Sequence, residues 1–172
     1  MFPMEFHMSR TTLPILEQRR IEANIIKPIY DEMVARLGKK SAQAILSAAI
    51  TKDSIAQGKA YSADMEEEGS LEDFHALLPQ WKADGALEVD MLEENASHVH
   101  YNVTRCKYAE MYRDMGLAEI GGILSCGRDG TFCTGFNPNI KLDRSQTIMQ
   151  GASHCDFRYR WEEDDAKKNY SQ

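Results

Sequence analysis

The sequence has no excess of positive charge. Its 172 residues carry 20 Lys and Arg against 27 Asp and Glu, which gives a formal net charge of −7 and a pI of about 5.2. Proteins that bind nucleic acid need Lys and Arg concentrated on one face, so this balance gives no general attraction to nucleic acid. Any anionic ligand must be held locally, and we expect a small-molecule substrate and no nucleic-acid partner.

A long apolar run and a secretory leader are also missing. No run approaches the ~18–20 apolar residues that a membrane span needs. The first residues, 1–6, lack the basic and apolar regions of a signal peptide. These absences predict a cytoplasmic protein with no membrane partner. The hydrophobic content of 42% is ordinary for a globular protein, so we expect a packed core. The sequence leaves open whether the protein forms a homo-oligomer.

Cysteine is scarce, and all four cysteines fall within residues 105–158. Four thiols at irregular spacing are too few for a disulfide-rich secreted scaffold. The plainest role for any of them is that of a small buried hydrophobe, above all for Cys133. A zinc site of Cys106, Cys126, His154 and Cys155 is a rival, but no Cys-x-x-Cys pair nucleates it. We therefore expect no metal and no cofactor.

Hydrophobic periodicity predicts helices in the first half of the chain. Apolar residues at three- and four-residue steps predict a helix over residues 12–37, in which Pro28 removes a hydrogen bond and predicts a kink or a break. A second helix is predicted over residues 40–65 and a third over residues 71–83.

The period changes after residue 84. Alternating residues predict strands over 86–93 and 98–104, followed by helices over 108–115 and 118–124. Residues 126–130, Cys-Gly-Arg-Asp-Gly, predict a turn, because Gly and Asp tolerate positive φ. The last predicted strands cover residues 140–150 and 155–161.

Helices first and a mainly antiparallel sheet with inserted helices afterwards predict one α+β domain over residues 1–172. Its helical part covers residues 1–84, its sheet-containing part with the candidate site covers 85–161, and a charged tail covers 162–172.

Two of the cysteines have neighbours that could stabilise a thiolate, the form that acts as a nucleophile. Cys106 stands between Arg105 and Lys107 and precedes a predicted helix, so positive side chains and helix N-terminal amides would both lower its pKa. Cys155 follows His154, which reaches it only at a bulge or turn, since adjacent strand residues point to opposite faces.

Arginines and aspartates in the same stretch could hold a charged ligand. Arg105, Arg144 and Arg158 could bind a small carboxylate through bidentate hydrogen bonds, although surface pairing with the surplus acids is an equal alternative for each. Asp129 and Asp156 could orient a histidine or bind a cationic amidine, and Asp129 could equally form a turn.

Several ordered motifs occupy the second half of the chain. They are Val103-Thr104-Arg105-Cys106-Lys107-Tyr108-Ala109-Glu110, Gly116-Leu117-Ala118-Glu119-Ile120-Gly121 leading to Cys126 and Asp129, Gly135-Phe136-Asn137-Pro138, Leu142-Asp143-Arg144-Ser145-Gln146-Thr147-Ile148-Met149-Gln150-Gly151, and Cys155-Asp156-Phe157-Arg158. With these motifs at compatible spacing, residues 99–161 resemble the L-2-amino-thiazoline-4-carboxylic acid hydrolase family. The family often has Pro where this chain has Lys107, and it varies before Cys155, which favours the cysteines over His154 as catalytic groups.

The resemblance implies hydrolysis of a cyclic amidine. Water would open the ring of L-2-amino-thiazoline-4-carboxylate to give N-carbamoyl-L-cysteine, on the route to cysteine. As a hypothesis for this reaction we assign Cys155 as the nucleophile, with Cys106 as the second candidate and His154 as a base, and we add Asp129 and Cys126 to the candidate catalytic residues. Water activated by a general base is the alternative to thiolate attack.

The same resemblance implies a substrate site and leaves other functions open. Arg105 or Arg144 would hold the carboxylate and Asp129 or Asp156 the amidine, and the remaining candidate binding residues are Tyr108, Asn137 and Arg158. One alternative is a family member that acts on another heterocycle, amidine or thioester in biosynthesis. The other is a non-catalytic sensor that binds a ligand or metal through the same cysteines.

Overall fold

The computed structural model describes residues 13–63, 65 and 68–162. Two long helices come first, α1 (Ile15–Leu37) and α2 (Lys39–Ser62), and two short ones follow, α3 (Leu71–His75) and α4 (Leu78–Lys82). Strands β1 (Leu87–Glu94) and β2 (His98–Cys106) lead to helices α5 (Lys107–Asp114), α6 (Ala118–Gly121) and α7 (Gly127–Phe136). A π-helical stretch, Gly122–Cys126, joins α6 to α7, and strands β3 (Ile140–Asp143) and β4 (Cys155–Trp161) come last.

The described strands form one antiparallel sheet in the order β1-β2-β4-β3. Along β2 and β4 buried residues alternate with more exposed ones, as expected for a sheet with one face on the core. Val103 of β2 lies opposite Cys155 of β4, which places the end of β2 beside the start of β4. The predicted α+β class, with a mainly antiparallel sheet and inserted helices, is confirmed.

Pro28 does not break the first helix, which runs without interruption from Ile15 to Leu37. Proline cannot donate to the carbonyl group four residues earlier, which here belongs to Asn24. Asn24 and Pro28 are both exposed, so water can satisfy that carbonyl group. The predicted break is therefore wrong, because both residues are exposed to water.

The predicted third helix is wrong in its continuity, because it divides into α3 and α4. Ser70 begins α3 with a capping box in which its hydroxyl accepts from the Asp73 N–H and the Asp73 carboxylate accepts from the Ser70 N–H. Pro79 lies in the first turn of α4, where the missing N–H costs no helix hydrogen bond.

The predicted turn at residues 126–130 is also wrong, since this segment runs from the π-helical stretch into α7. Close packing on α2 accounts for the difference. A Cβ atom added at Gly135 would lie 2.1 Å from the Ile55 carbonyl oxygen, and one added at Gly58 would lie 2.3 Å from the Phe132 carbonyl oxygen. Gly58 and Gly135 let α2 and α7 approach each other closely. The packing gained by this close contact outweighs the turn propensity of residues 126–130.

The predicted strand over residues 140–150 ends at Asp143. Beyond it, the N–H groups of Ser145 and Gln146 donate to the Asp156 carboxylate at 2.9–3.2 Å. The Asp156 side chain thus accepts hydrogen bonds from N–H groups that a longer β3 would donate to its neighbouring strand. The ladder of hydrogen bonds between the strands therefore ends there.

Two clusters of buried side chains fill the described part of the protein. The first packs the sheet against α3, α4 and α7 and includes Phe74 and Tyr159. The second packs α1, α2, α5 and α6 together around Tyr112. Leu87 and Cys106 contact both clusters, so the candidate site at the end of β2 lies where they meet.

Within the described residues, every helix is too short or too polar to cross a lipid bilayer.

Candidate active site

A cavity of about 300 Å³ lies where the two clusters meet. Its sulfur-containing lining residues are Cys106, Cys126 and Cys155. Its charged lining residues are Arg19, Arg128, Asp129 and Arg144. Among the described residues, eight aromatic side chains complete much of the wall, namely Tyr61, Phe74, Trp81, Tyr101, Tyr108, Phe132, Phe157 and Tyr159. An apolar cavity with a few converging polar groups is the usual form of a small-molecule site.

Three different elements bring the three lining thiols together. Cys106 ends β2, Cys155 begins β4, and Cys126 ends the π-helical stretch before α7. The thiols interact electrostatically, since Cys106 and Cys155 both act to raise the pKa of Cys126. Cys133 is fully buried and does not line the cavity; its Sγ–H donates to the Asp129 carbonyl oxygen at 3.1 Å.

Burial makes these thiols weaker acids than free cysteine. It raises the pKa of Cys106 to about 11, although the N–H groups of Ala109 and Tyr108 oppose the change. Burial likewise raises the pKa of Cys126 to about 12. For Cys155 burial again raises the pKa, against the hydrogen bond from the Ile148 N–H at 3.2 Å and the nearby Arg144 guanidinium.

The predicted lowering of the Cys106 pKa by its charged neighbours is therefore wrong in net direction. Arg105 points outward and forms ion pairs with Glu88 and Glu110, at 3.5 and 2.9 Å. Lys107 donates to the Asp84 carbonyl oxygen at 2.8 Å. Neither cation reaches the thiol, and only the predicted contribution of the α5 amides is present.

Asp129 and Arg144 form an ion pair in the cavity wall. Arg144 also donates to the Cys126 carbonyl oxygen at 2.9 Å, and its guanidinium lies 4.9 Å from the centre of the Phe157 ring. Burial raises the pKa of Asp129, and Arg144 opposes that change without cancelling it. Burial lowers the pKa of Arg144, but Asp129 more than offsets this and the net direction is upward. The carboxyl group therefore binds a proton more readily than an ordinary aspartate.

The model of the L-2-amino-thiazoline-4-carboxylic acid hydrolase family matches residues 18–159 of the chain. The chain belongs to this family. The resemblance seen in the sequence motifs is thereby confirmed, and it extends to the N-terminal helices, which the motifs did not cover. Comparison with curated proteins finds no match.

The fold is also similar to a solved structure, the phenol-responsive sensory domain of the transcription activator PoxR with phenol. The two share 12% sequence identity and a TM-score of 0.51, over 95% of this chain and 84% of that one. At this identity the likeness is one of fold.

Of the residues that the family resemblance singled out, six line the cavity: Cys106, Tyr108, Cys126, Asp129, Arg144 and Cys155. The Tyr108 hydroxyl donates to the Trp81 carbonyl oxygen at 3.1 Å, which fixes its ring in the wall. Burial raises the pKa of Tyr108, so its hydroxyl stays protonated.

The other predicted site residues lie outside the cavity lining and make structural contacts. His154 lies beside Ser153 and Gln146, with its Nε2 atom 3.0 Å from the Gln146 Nε2 atom. Asp156 accepts hydrogen bonds from the segment after β3; burial acts to raise its pKa, but hydrogen bonds from Ser145 and Gln146 lower it to about 2.

Two more predicted residues, Asn137 and Arg158, tie main-chain segments together, and a third, Arg105, pairs with surface side chains. Asn137 donates to the Gly69 carbonyl oxygen at 2.9 Å. Arg158 donates to the Tyr101 carbonyl oxygen at 2.9 Å and to the Asn102 side chain at 3.0 Å. Arg105 is exposed and pairs with surface acids, as the alternative interpretation of that residue had it.

Two lining arginines, Arg19 of α1 and Arg128 of α7, were missed in the sequence. Arg19 stands four residues after Ile15 and four before Ala23, which places a cation on the helix face that packs inward. A charge inside an apolar stripe is the signal that could have identified it. Arg128 lay in the segment predicted as a turn, where it gave no such signal.

Within the described part of the chain, no cluster of three or more His, Cys, Asp or Glu side chains has the proximity needed to hold a metal ion.

Proposed function

We propose that this protein hydrolyses L-2-amino-thiazoline-4-carboxylate, or a closely related cyclic amidine, to N-carbamoyl-L-cysteine. Family membership supports the hydrolytic class. The observation that carries the proposal is the joint presence of Cys155, Cys106, Cys126 and the Asp129–Arg144 pair in the wall of one cavity. Such a cavity offers a nucleophile, a proton carrier and a water-poor environment to a small charged ring.

Cys155 is the nucleophile in this proposal. Its sulfur accepts the Ile148 N–H and lies in the field of Arg144, and both interactions favour the thiolate against the effect of burial. A bound amidinium would add a further positive charge beside the thiol and lower its pKa only when substrate is present. The thiols would then rest in the neutral form and become reactive with the substrate in place.

The reaction balances in two steps. The Cys155 sulfur attacks the ring carbon between nitrogen and sulfur, and the C–S bond of the ring breaks, so that the ring sulfur leaves as a thiol after gaining a proton. Water then attacks the same carbon of the isothiourea formed on Cys155 and releases the urea product and the free cysteine side chain. Each step replaces one bond to the carbon by another, without oxidation or reduction.

Asp129 carries the proton in both steps. Its raised pKa suits a group that must take a proton from a thiol or water and return it to a leaving sulfur. Asp129 also acts on the pKa of Cys106, Cys126 and Cys155, which indicates that its carboxyl group is near all three. His154, outside the cavity lining, has no part in this scheme.

Substitution of single cysteines tests the covalent step. Cys155→Ser should slow ring opening by about 100-fold or more, because an alcohol at this position is a much weaker nucleophile. Cys133→Ser is the matched control: Cys133 lies outside the cavity lining, and serine can keep the hydrogen bond to the Asp129 carbonyl oxygen. Release of thiol product, read with a thiol reagent, measures the rate, and mass spectrometry of quenched enzyme would detect the covalent adduct.

Full activity in both Cys155→Ser and Cys106→Ser would rule out covalent catalysis by either residue. Asp129→Asn would then test whether water activated by that carboxyl group carries out the reaction. Loss of ring opening in Asp129→Asn alone would favour general-base hydrolysis.

A second candidate function is that of a ligand-binding sensory module. The aromatic wall of the cavity and the fold shared with the phenol-responsive domain of PoxR both favour it. Calorimetry with phenol, run beside the ring-opening assay, separates the two. Tight binding of phenol with no turnover of any cyclic amidine would favour the sensor.

A further inference from the structure

Two cations of the cavity wall have no role in the scheme above. Arg19 of α1 and Arg128 of α7 both line the cavity, and their side chains are only 11% and 10% exposed. Lone buried cations are costly, so a partner is expected for each. Their partners, Glu22 and Asp53, lie outside the cavity lining.

These ion pairs are asymmetric. The Glu22 and Asp53 side chains are 37% and 51% exposed, so water screens the acids far more than it screens the arginines. The Arg19 Nη1 atom lies 2.5 and 2.6 Å from the two carboxylate oxygens of Glu22, whereas among the described residues its Nη2 atom makes a long contact of 3.4 Å with Gln57. The cavity is therefore lined by the arginines of these ion pairs, while their acidic partners lie outside the lining and are more exposed to water.

The field of Arg19 reaches the reacting groups. It acts to lower the pKa of Asp129 and of Tyr108, in both cases against the larger effect of burial, and both residues line the cavity. An anionic group bound at Arg19 would thus share one cavity with a cationic group bound at Asp129.

The other arginines near the site are already occupied. Arg144 is neutralised by Asp129 and donates to the Cys126 carbonyl oxygen. Arg105 and Arg158 lie outside the cavity lining and hold surface acids and main-chain oxygens. Arg128 pairs with both Asp53 and Glu22 and donates to the Leu124 carbonyl oxygen at 3.0 Å, so its guanidinium is also largely occupied. Among the described residues Arg19 has a single acidic partner, Glu22, which is partly solvated, and this leaves Arg19 as the lining cation best placed to bind an anion.

We propose that Arg19, supported by Arg128, binds the carboxylate of the substrate while Asp129 faces its amidinium. The proposal rests on the proposed ring-opening function and names the residue that recognises the carboxylate. A guanidinium can hold a carboxylate through two parallel hydrogen bonds, which an ammonium group cannot reproduce.

The test compares two substrates that differ only in the carboxylate: L-2-amino-thiazoline-4-carboxylate and 2-amino-2-thiazoline. Arg19→Gln should raise KM for the first by about 10- to 100-fold, the usual effect of losing a charged hydrogen bond. It should change KM for the second by less than about twofold, because that ring has no group for Arg19 to bind. Arg19→Lys should fall between wild type and Arg19→Gln for the carboxylate, since charge is kept and the paired geometry is lost.

Arg20→Gln is the matched control, because Arg20 is exposed and pairs with Glu17 on the outer face of the same helix. It should leave both KM values unchanged. Circular dichroism of each variant establishes that α1 is intact, and Arg19→Lys carries the test if Arg19→Gln does not fold.

Calorimetric titration of both compounds separates failure of this proposal from failure of the ring-opening function. Binding of the carboxylate compound by wild type, weakened in Arg19→Gln without any turnover in wild type, would support the carboxylate site and refute the reaction. Equal loss for both compounds in Arg19→Gln, or equal wild-type affinity for both, would overturn the site while leaving ring opening intact.

Discussion

Replacing Gly135 by alanine should force α2 and α7 apart. The added Cβ atom would lie 2.1 Å from the Ile55 carbonyl oxygen and 2.9 Å from the Ile55 Cα atom. Both neighbours are main-chain atoms of a helix, so no side-chain rotation can relieve the overlap. Since α7 carries Asp129 and Arg128, the same displacement would disturb the cavity wall.

We expect the overlap to cost about 3 kcal/mol, at the upper end of the usual overpacking range. The better helix propensity of alanine offsets about 1 kcal/mol of this, which leaves a net loss of about 2 kcal/mol. For a chain of this size that corresponds to a fall in Tm of about 4–8 °C. Gly130→Ala on the same helix is the matched control, because its Cβ atom would meet nothing within 4 Å. It should gain about 0.5–1 kcal/mol.

Urea unfolding followed by tryptophan fluorescence and by far-ultraviolet circular dichroism measures both variants, and agreement of the two signals supports a two-state analysis. The two variants should differ by about 3 kcal/mol in the free energy of unfolding. A Gly135→Ala protein as stable as Gly130→Ala would refute the close contact between α2 and α7.

Three further predictions concern ionisation and capping. Alkylation of Cys106 by iodoacetamide should become about tenfold faster per pH unit between about pH 7 and 9, because burial raises the pKa of this thiol to about 11. An alkylation rate that stops increasing at about pH 8.5 would contradict this prediction. Asp156→Asn should be less stable than wild type at neutral pH. The pKa of Asp156 is about 2 in the folded protein, below the value of ~3.9 expected in the unfolded chain. The stabilisation by the Asp156 carboxylate is therefore complete above about pH 4 and disappears as the pH falls through about 2, which urea unfolding at several pH values would show. Ser70→Ala removes one half of the capping box with Asp73 and should lower the free energy of unfolding by about 1 kcal/mol, seen as a lower urea midpoint; an unchanged midpoint would refute it.

Most elements of the fold could be predicted from local periodicity. Helices α1 and α2 and strands β1, β2 and β4 lie within a few residues of their predicted bounds, because apolar spacing records which face of a segment is buried. The failures arose where a distant group changes the local balance. The Asp156 carboxylate ends β3 early, and contact with α2 holds residues 127–136 in a helix despite their turn-like composition.

The candidate site shows the same division. Motifs in the second half of the chain pointed to Cys106, Asp129, Arg144 and Cys155, and these residues share the cavity. Arg19 escaped notice, because its place on the inward face of α1 shows that it is buried but not that α1 borders a cavity formed by β2, β4 and α7.

The sequence by itself determined most of the helix and strand pattern, the α+β class and the family, because these depend on the spacing of residue types along the chain. Only the tertiary structure decided the chemical state of the thiols. Arg105 and Lys107 adjoin Cys106 in sequence, yet both contact groups away from its sulfur, and burial raises its pKa. Side-chain direction and the exclusion of water arise when elements pack, so adjacency along the chain could not reveal them.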